Sequence, residues 1–196
     1  FDYEKKETRK AGLFYFIMTQ LSTVFLLVAF LIIYHASNSL DIKQITSISP
    51  TLAGTAFAFL FLGFGTKAGV IPFHKWLPYA HPASPSNISA LMSGIMIKVA
   101  IYGLMRFVIF VLPSSLWYGV AIFAFGVISA LLGVIYALKE HDIKRLLAYH
   151  SIENIGIILL GFGLYVIAAS YSLTEIAMFG LIGALFHTMN HALFKS

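Results

Sequence analysis

Gly63-Phe64-Gly65-Thr66-Lys67-Ala68-Gly69-Val70-Ile71-Pro72 cannot run as one undisturbed helix, although it lies inside an apolar run long enough to cross a bilayer. Pro72 lacks an N–H, and its ring clashes with the carbonyl four residues earlier, at Ala68, beside Lys67. With Gly63, Gly65 and Gly69 close by, the expected result is a discontinuous helix over 51–79, broken near 68–74. Phe73-His74-Lys75-Trp76-Leu77-Pro78 would open its second half. Backbone released from a helix at membrane depth is tolerated only where protein buries it or where it lines a wet cavity. Such breaks are common ion sites in transporters. His74, Lys75 and Trp76 read as interfacial anchors, because an aromatic flanked by bases suits the headgroup level.

The solvent for the rest of the chain is lipid. The sequence is 59% apolar and 11% charged, with a mean hydropathy of +0.87, against about 45–50% apolar and about 25% charged in soluble domains. Stretches able to cross the ~30 Å hydrocarbon core fall at about 11–34, 51–79, 85–111, 115–138, 143–168 and 174–196. The expected fold class is an all-α membrane protein, a polytopic bundle of about six transmembrane helices. The chain starts at Phe1 without an initiator Met and stops at Ser196 inside an apolar run, so a piece of a longer polypeptide is expected. The charged first ten residues, followed by a long apolar run, do not fit a signal peptide. With no Cys, disulfides and cysteine-ligated iron–sulfur or zinc centres are excluded within this segment.

Alternating spans place Lys5, Lys6, Arg9, Lys10, Lys75, Lys139, Lys144 and Arg145 on one side, against Lys43 and Arg106 on the other. The positive-inside rule puts residues 1–10 and the 72–85 and 139–145 connections in the cytoplasm. A net charge of +5 needs no nucleic acid to explain it. Ser84 is a candidate N-cap with Pro85 in the first turn after it, and Asp142 is another cap. Gly119, Gly126 and Gly133 leave a smooth stripe for close helix contact.

Lys67, Lys98 and Lys195 lie inside apolar runs, where an ionisable group marks a functional site by default. Lys98 is thirteen residues beyond Pro85, which is ~20 Å into its span at the helical rise. That is too deep to snorkel. Desolvation penalises the charged form of such a lysine and permits reversible protonation, the property a proton relay requires. A fixed salt bridge is the structural alternative for Lys98, and snorkelling near a helix end is the alternative for Lys67. Glu153 is the only acid placed well inside a span, with His150 one turn before it, so a Lys–Glu or His–Glu pair is expected there. His187, His191 and Lys195 stack along one helical face with Gly180, Gly183 and Ala184. Imidazole titrates at about pH 6.5 and can pass protons in either direction. A zinc-protease pattern would need Glu where Thr188 stands. Axial haem ligation has no other support in the chain, and core histidines satisfied by neighbours remain a further reading. The candidate relay set is Lys67, Lys98, His150, Glu153, His187, His191 and Lys195, with Pro72 as the helix break, and no catalytic, cofactor or metal residue is expected.

At these positions the chain resembles a known family. Gly65-Thr66-Lys67-Ala68-Gly69-Val70-Ile71-Pro72-Phe73-His74-Lys75-Trp76-Leu77-Pro78, Ala80-His81-Pro82-Ala83-Ser84-Pro85 and Ser93-Gly94-Ile95-Met96-Ile97-Lys98 are similar to the antiporter-like proton-translocating subunits of respiratory complex I, Mrp antiporters and group 4 membrane-bound hydrogenases. Asp142-Ile143-Lys144-Arg145-Leu146-Leu147-Ala148-Tyr149 and the His187 to Lys195 run fit the same pattern. His150-Ser151-Ile152-Glu153-Asn154-Ile155-Gly156 is most similar to the hydrogenase-4 component B and formate hydrogenlyase subunit 3 branch. The resemblance implies a larger protein with inverted five-helix repeats, of which this segment would hold the sixth to eleventh helices. It implies that Lys67 is the central lysine of the broken helix, that Lys98 matches an eighth-helix lysine, and that His187, His191 and Lys195 line a polar axis. The family's glutamate partner for Lys67 would fall before Phe1 and a further lysine or glutamate beyond Ser196, so the segment alone is not expected to translocate protons.

The function expected is proton transport by an antiporter-like subunit of an oxidoreductase complex, hydrogenase or NADH:quinone oxidoreductase in type, in the plasma (inner) membrane. A cation/proton antiporter of the Mrp kind and a membrane scaffold with merely paired lysines are the alternatives. No cofactor is expected in this chain. Its partners would be membrane lipid, other membrane subunits, and hydrogenase or iron–sulfur redox subunits that carry the electron chemistry.

Overall fold

The computed structural model describes residues 5–45 and 48–195. Residues 1–4, the start of the expected cytoplasmic segment, lie outside that range, as do Thr46, Ser47 and Ser196, the end of the sixth expected span. Among the described residues seven helices follow in order: α1 Lys6–Ser37, α2 Pro50–Ala68, α3 Trp76–Ala83, α4 Ser86–Phe110, α5 Leu116–Lys139, α6 Ile143–Ser170 and α7 Thr174–Lys195. All but α3 are long and apolar enough to cross a membrane, and the described residues contain no strand. Several helices overrun the expected spans; α1 begins at Lys6 rather than 11 and ends at Ser37 rather than 34. Hydropathy marks only the hydrocarbon crossing, while helical hydrogen bonding continues into the polar flanks.

The α2 helix ends by its own backbone chemistry. Gly69 takes φ +78°, a left-handed conformation that Gly adopts without a Cβ penalty. Its N–H then donates to the Thr66 carbonyl at 3.2 Å, and Val70 N–H donates to the Gly65 carbonyl at 2.8 Å. This pair of bonds is a Schellman motif, which satisfies carbonyls that an ended helix would leave open. Ile71 N–H donates 3.1 Å to the buried Ser129 hydroxyl on α5, and the Ile71–Pro72 peptide is cis. Residues 69–75 separate α2 from α3, so the backbone breaks beside Lys67.

Trp76 corrects part of the sequence reading. It is 1% exposed and His74 is 7% exposed, so of the three supposed interfacial anchors only Lys75 stands at the surface. Trp76 Nε1–H donates to the Thr66 carbonyl at 2.8 Å, clamping the second half-helix onto the end of the first. The break turns this side chain inward, so a residue type suited to the lipid interface serves as an internal hydrogen-bond donor. Trp76→Phe keeps an aromatic ring and removes that donor. Because Thr66 retains the Gly69 bond, a loss of about 1 kcal/mol is expected, measured as a lower melting temperature of the full-length parent protein in detergent.

The core follows chain order in pairs: α1 lies along α2, α2 against α4, α5 along α6, and α6 against α7, while α3 packs on α1 and α6. The α5–α6 contact brings backbone to backbone. A Cβ at Gly119, Gly126 or Gly133 would come within 2.7 Å, 2.9 Å and 2.7 Å of the amide nitrogens of Ile167, Leu160 and Glu153. Small residues permit that approach, and dispersion between closely packed helices drives association in lipid. Gly180 similarly meets Gly161 across α6 and α7, whereas Gly183 has nothing within 4 Å and does not share the packed face expected of it. The spacing of three residues from Gly180 turns it toward the edge of the stripe. Ser84 also departs from expectation. Its hydroxyl donates back to the His81 carbonyl at 3.0 Å, closing α3, and makes no cap for α4. Asp142 does cap α6, accepting from Arg145 N–H at 2.9 Å.

Candidate functional site

Lys98 is 7% exposed and lies on α4 just after a π-helical turn, Met92–Met96. A π turn widens the helix by one residue and disturbs the regular register of carbonyls. The Lys98 ammonium donates to one of these, the Ser93 carbonyl five residues back. No carboxylate pairs with it among the described residues, so the fixed salt bridge weighed for Lys98 is not made there.

Around the same turn sits a residue the sequence reading passed over. His81, 2% exposed on α3, reaches two α4 serines: Nδ1 to the Ser89 hydroxyl at 2.5 Å and Nε2 to the Ser93 hydroxyl at 3.2 Å. The Ser151 hydroxyl on α6 is 3.4 Å from that of Ser93 and donates to the Leu147 carbonyl at 3.0 Å. Leu147 also accepts from the Lys195 ammonium at 2.9 Å. Lys98 and Lys195, far apart in sequence, thus end on one string of polar groups: Ser93, Ser151 and the Leu147 carbonyl. It crosses α4, α6 and α7.

A second string runs beside it. Glu153 Oε2 is 2.6 Å from His150 Nδ1, one of the pairings expected for this acid. Asn154 donates through Nδ2 to the His150 carbonyl at 2.7 Å, and its Oδ1 lies 2.9 Å from His187 Nε2. His187 therefore joins the Glu153 and His150 group, with Asn154 as the bridge. The two strings meet on α6, where Ser151 of the first is followed by Glu153 and Asn154 of the second.

His191 and Lys67 stand apart from both. His191 is fully buried, and neither ring nitrogen has a hydrogen-bond partner among the described residues; the Phe194 ring lies 5.2 Å away. Lys67, in the last turn of α2, is half-buried and makes no hydrogen bond or ion pair among the described residues. The structure therefore gathers Lys98, Lys195, His150, Glu153 and His187 into two adjacent strings and leaves Lys67 at the helix break. Pro72 lies within that break.

The whole chain, residues 1–196, matches the family model described as NADH:quinone oxidoreductase/Mrp antiporter, transmembrane. It belongs to that family. It is 47% identical over 197 residues to hydrogenase-4 component B of Escherichia coli (strain K12), covering 98% of this chain and 29% of that protein. Formate hydrogenlyase subunit 3 of the same organism is 37% identical, over 95% of this chain and 31% of its own. NADH-quinone oxidoreductase subunit M of Rickettsia typhi is 31% identical, over 95% and 36%. The solved structure of the Mrp complex from Dietzia sp. DQ12-45-1b superposes with a TM-score of 0.81 at 28% identity, covering 95% of this chain and 33% of that one. The chain spans about a third of the length of these relatives.

In this member of the family, the groups missed by residue-type reasoning are His81, Ser89, Ser93, Ser151 and Asn154. Each is neutral or sits in a connection. Only folding shows that they bridge helices, although all but Ser89 stood in the quoted stretches.

Proposed function

We propose that this segment is part of the proton-translocating core of an antiporter-like subunit in a redox-driven membrane complex of hydrogenase, formate hydrogenlyase or NADH:quinone oxidoreductase type. The observation that carries this reading is Lys98, buried on α4 and held by a neutral carbonyl rather than by a carboxylate. A lysine so held can lose its proton without breaking an ion pair, which a scaffold lysine in a salt bridge cannot do.

In this reading a charge change imposed by a neighbouring subunit alters the protonation of Lys67 beside the break, and the charge of Lys67 then biases Lys98. Only a differential interaction with the two charge states can drive that step. The Ser93 and Ser151 hydroxyls, each both donor and acceptor, link His81 and Lys98 toward Lys195. The His187, Asn154, His150 and Glu153 string supplies a second titratable reservoir alongside. His191, buried and without a hydrogen-bond partner among the described residues, joins the relay only when its neighbourhood rearranges. Residues 1–10 and the lysine-rich connections face the cytoplasm of a cell whose plasma (inner) membrane holds the complex. The redox centres belong to hydrogenase and iron–sulfur partner subunits.

The likeness to the Mrp complex structure favours a second reading, a cation/proton antiporter subunit. Mass spectrometry of what co-purifies with the full-length parent protein in mild detergent separates the two. Recovery of a hydrogenase large subunit with iron–sulfur subunits is expected. Recovery of small membrane subunits alone, together with sodium-dependent transport, would establish the antiporter instead.

A further inference from the structure

We propose that the open groove at the lysine-rich end of the bundle binds the headgroup of an anionic phospholipid. The groove, about 820 Å³, is built from the start of α1, the segment from the helix break through α3, and the start of α6. Four cations line it, Lys5, Lys10, Lys75 and Arg145, against the single carboxylate of Glu7. Neither Lys10 nor Lys75 makes a hydrogen bond or ion pair among the described residues. Arg145 lies over the Tyr79 ring at 5.9 Å, and Tyr79 meets Phe14 edge-on at 5.9 Å, so the floor of the groove is aromatic.

The depth suits a headgroup. The 32 residues of α1 make a helix of ~48 Å at the helical rise, longer than the ~30 Å hydrocarbon core. Its first turns, which line the groove, therefore stand at the polar boundary. Immediately below them α1 exposes Leu13, Ile17 and Leu21, an apolar track on one face that leads into the hydrocarbon. A phospholipid satisfies both features, the phosphate among the cations and the acyl chains along the track. An acidic protein segment would satisfy only the charge. Basic pockets between membrane helices on the cytoplasmic side recognise anionic headgroups in this way. A lipid here ties α1 to α3 and α6, and so braces the second half of the broken helix from outside.

Native mass spectrometry of the full-length parent protein, loaded in parallel with phosphatidylglycerol or phosphatidylcholine, tests the site. Phosphatidylglycerol should be retained preferentially, and Lys10→Gln and Lys75→Gln should each weaken that preference about fivefold, the double variant about 25-fold. Lys43→Gln, on the opposite side by the charge count, should leave it unchanged. Melting temperatures in phosphatidylcholine show whether the variants fold, and the wild-type comparison stands without them. Equal retention of the two lipids, or an undiminished preference in a folded double variant, overturns the proposal. So do crosslinks from Lys10 and Lys75 to an acidic segment of another subunit in place of bound lipid.

Discussion

Lys98→Ala in the intact complex is expected to slow proton movement through this subunit by about 100-fold, the low end of what a positioned proton-transfer group contributes. On the function proposed, pumped protons per electron should fall, and electron transfer, which that proposal gives to partner subunits, should be less affected. The physical reason is the contact Lys98 makes. Its ammonium rests on the Ser93 carbonyl in the π turn, and the Ser93 hydroxyl connects to His81 and Ser151. Alanine removes both the proposed proton carrier and the ammonium that rests on this turn. Lys98→Arg separates these two contributions. Arginine keeps the charge and donates to carbonyls, but it does not release a proton in a protein. A relay residue is therefore not rescued by arginine, whereas a residue needed only as a fixed cation is. Proton-to-electron stoichiometry in reconstituted vesicles is the measurement. An unchanged ratio in Lys98→Ala removes Lys98 from the relay, and full rescue by Lys98→Arg makes it a structural cation.

Which parts of this site could be read from the sequence depends on how local their causes are. The break near Lys67 was legible because Pro72 and Gly69 act through backbone sterics within a few residues, and the observed end at Ala68 follows from Gly69 alone. The cap at Asp142 and the α5 glycine stripe were legible for the same reason: each needs only its own helix to be recognised. The π turn was not. Ser93, Gly94 and Lys98 carry no pattern distinguishing a five-residue hydrogen-bond spacing from a four-residue one, and the lysine's partner lies on the same helix. Trp76 was misplaced because an aromatic beside Lys75 reads as an interfacial belt, and only the break turns it toward Thr66. The three-or-four-residue spacing puts His187, His191 and Lys195 on one helical face. The spacing does not reveal that the three part company, His187 to Asn154, Lys195 to Leu147, and His191 to a sealed position. Two of those fates are set by α6, which meets His187 with the Asn154 amide and Lys195 with the Leu147 carbonyl. A sequence search for ionisable groups in lipid finds the ends of each polar string and overlooks its middle.

The tight α5–α6 seam packs the helix that both strings share, and Gly156 is its most constrained point. A Cβ there would collide with Ala130 N and lie 2.8 Å from the Gly126 carbonyl oxygen. Both are backbone atoms, so no rotamer change relieves the clash, and the helices must separate. Overpacking a well-fitted contact costs about 1–3 kcal/mol and sometimes more, and Gly156→Leu adds a branched side chain where even one methyl has no room. The expected result is a large fall in melting temperature, or in folded yield, of the full-length parent protein. A functional loss should accompany it in whatever folded fraction remains, because Ser151, Glu153 and Asn154 sit within five residues of Gly156 on the same helix. Gly54→Ala is the matched control. Its Cβ would meet only the end of the Trp117 side chain at an ordinary 3.5 Å, and replacing a helical glycine by alanine stabilises by roughly 0.5–1 kcal/mol. Thermal melts of the two variants should therefore move in opposite directions. If Gly156→Leu melts like the wild type, the close approach of α5 and α6 is not what positions the polar strings.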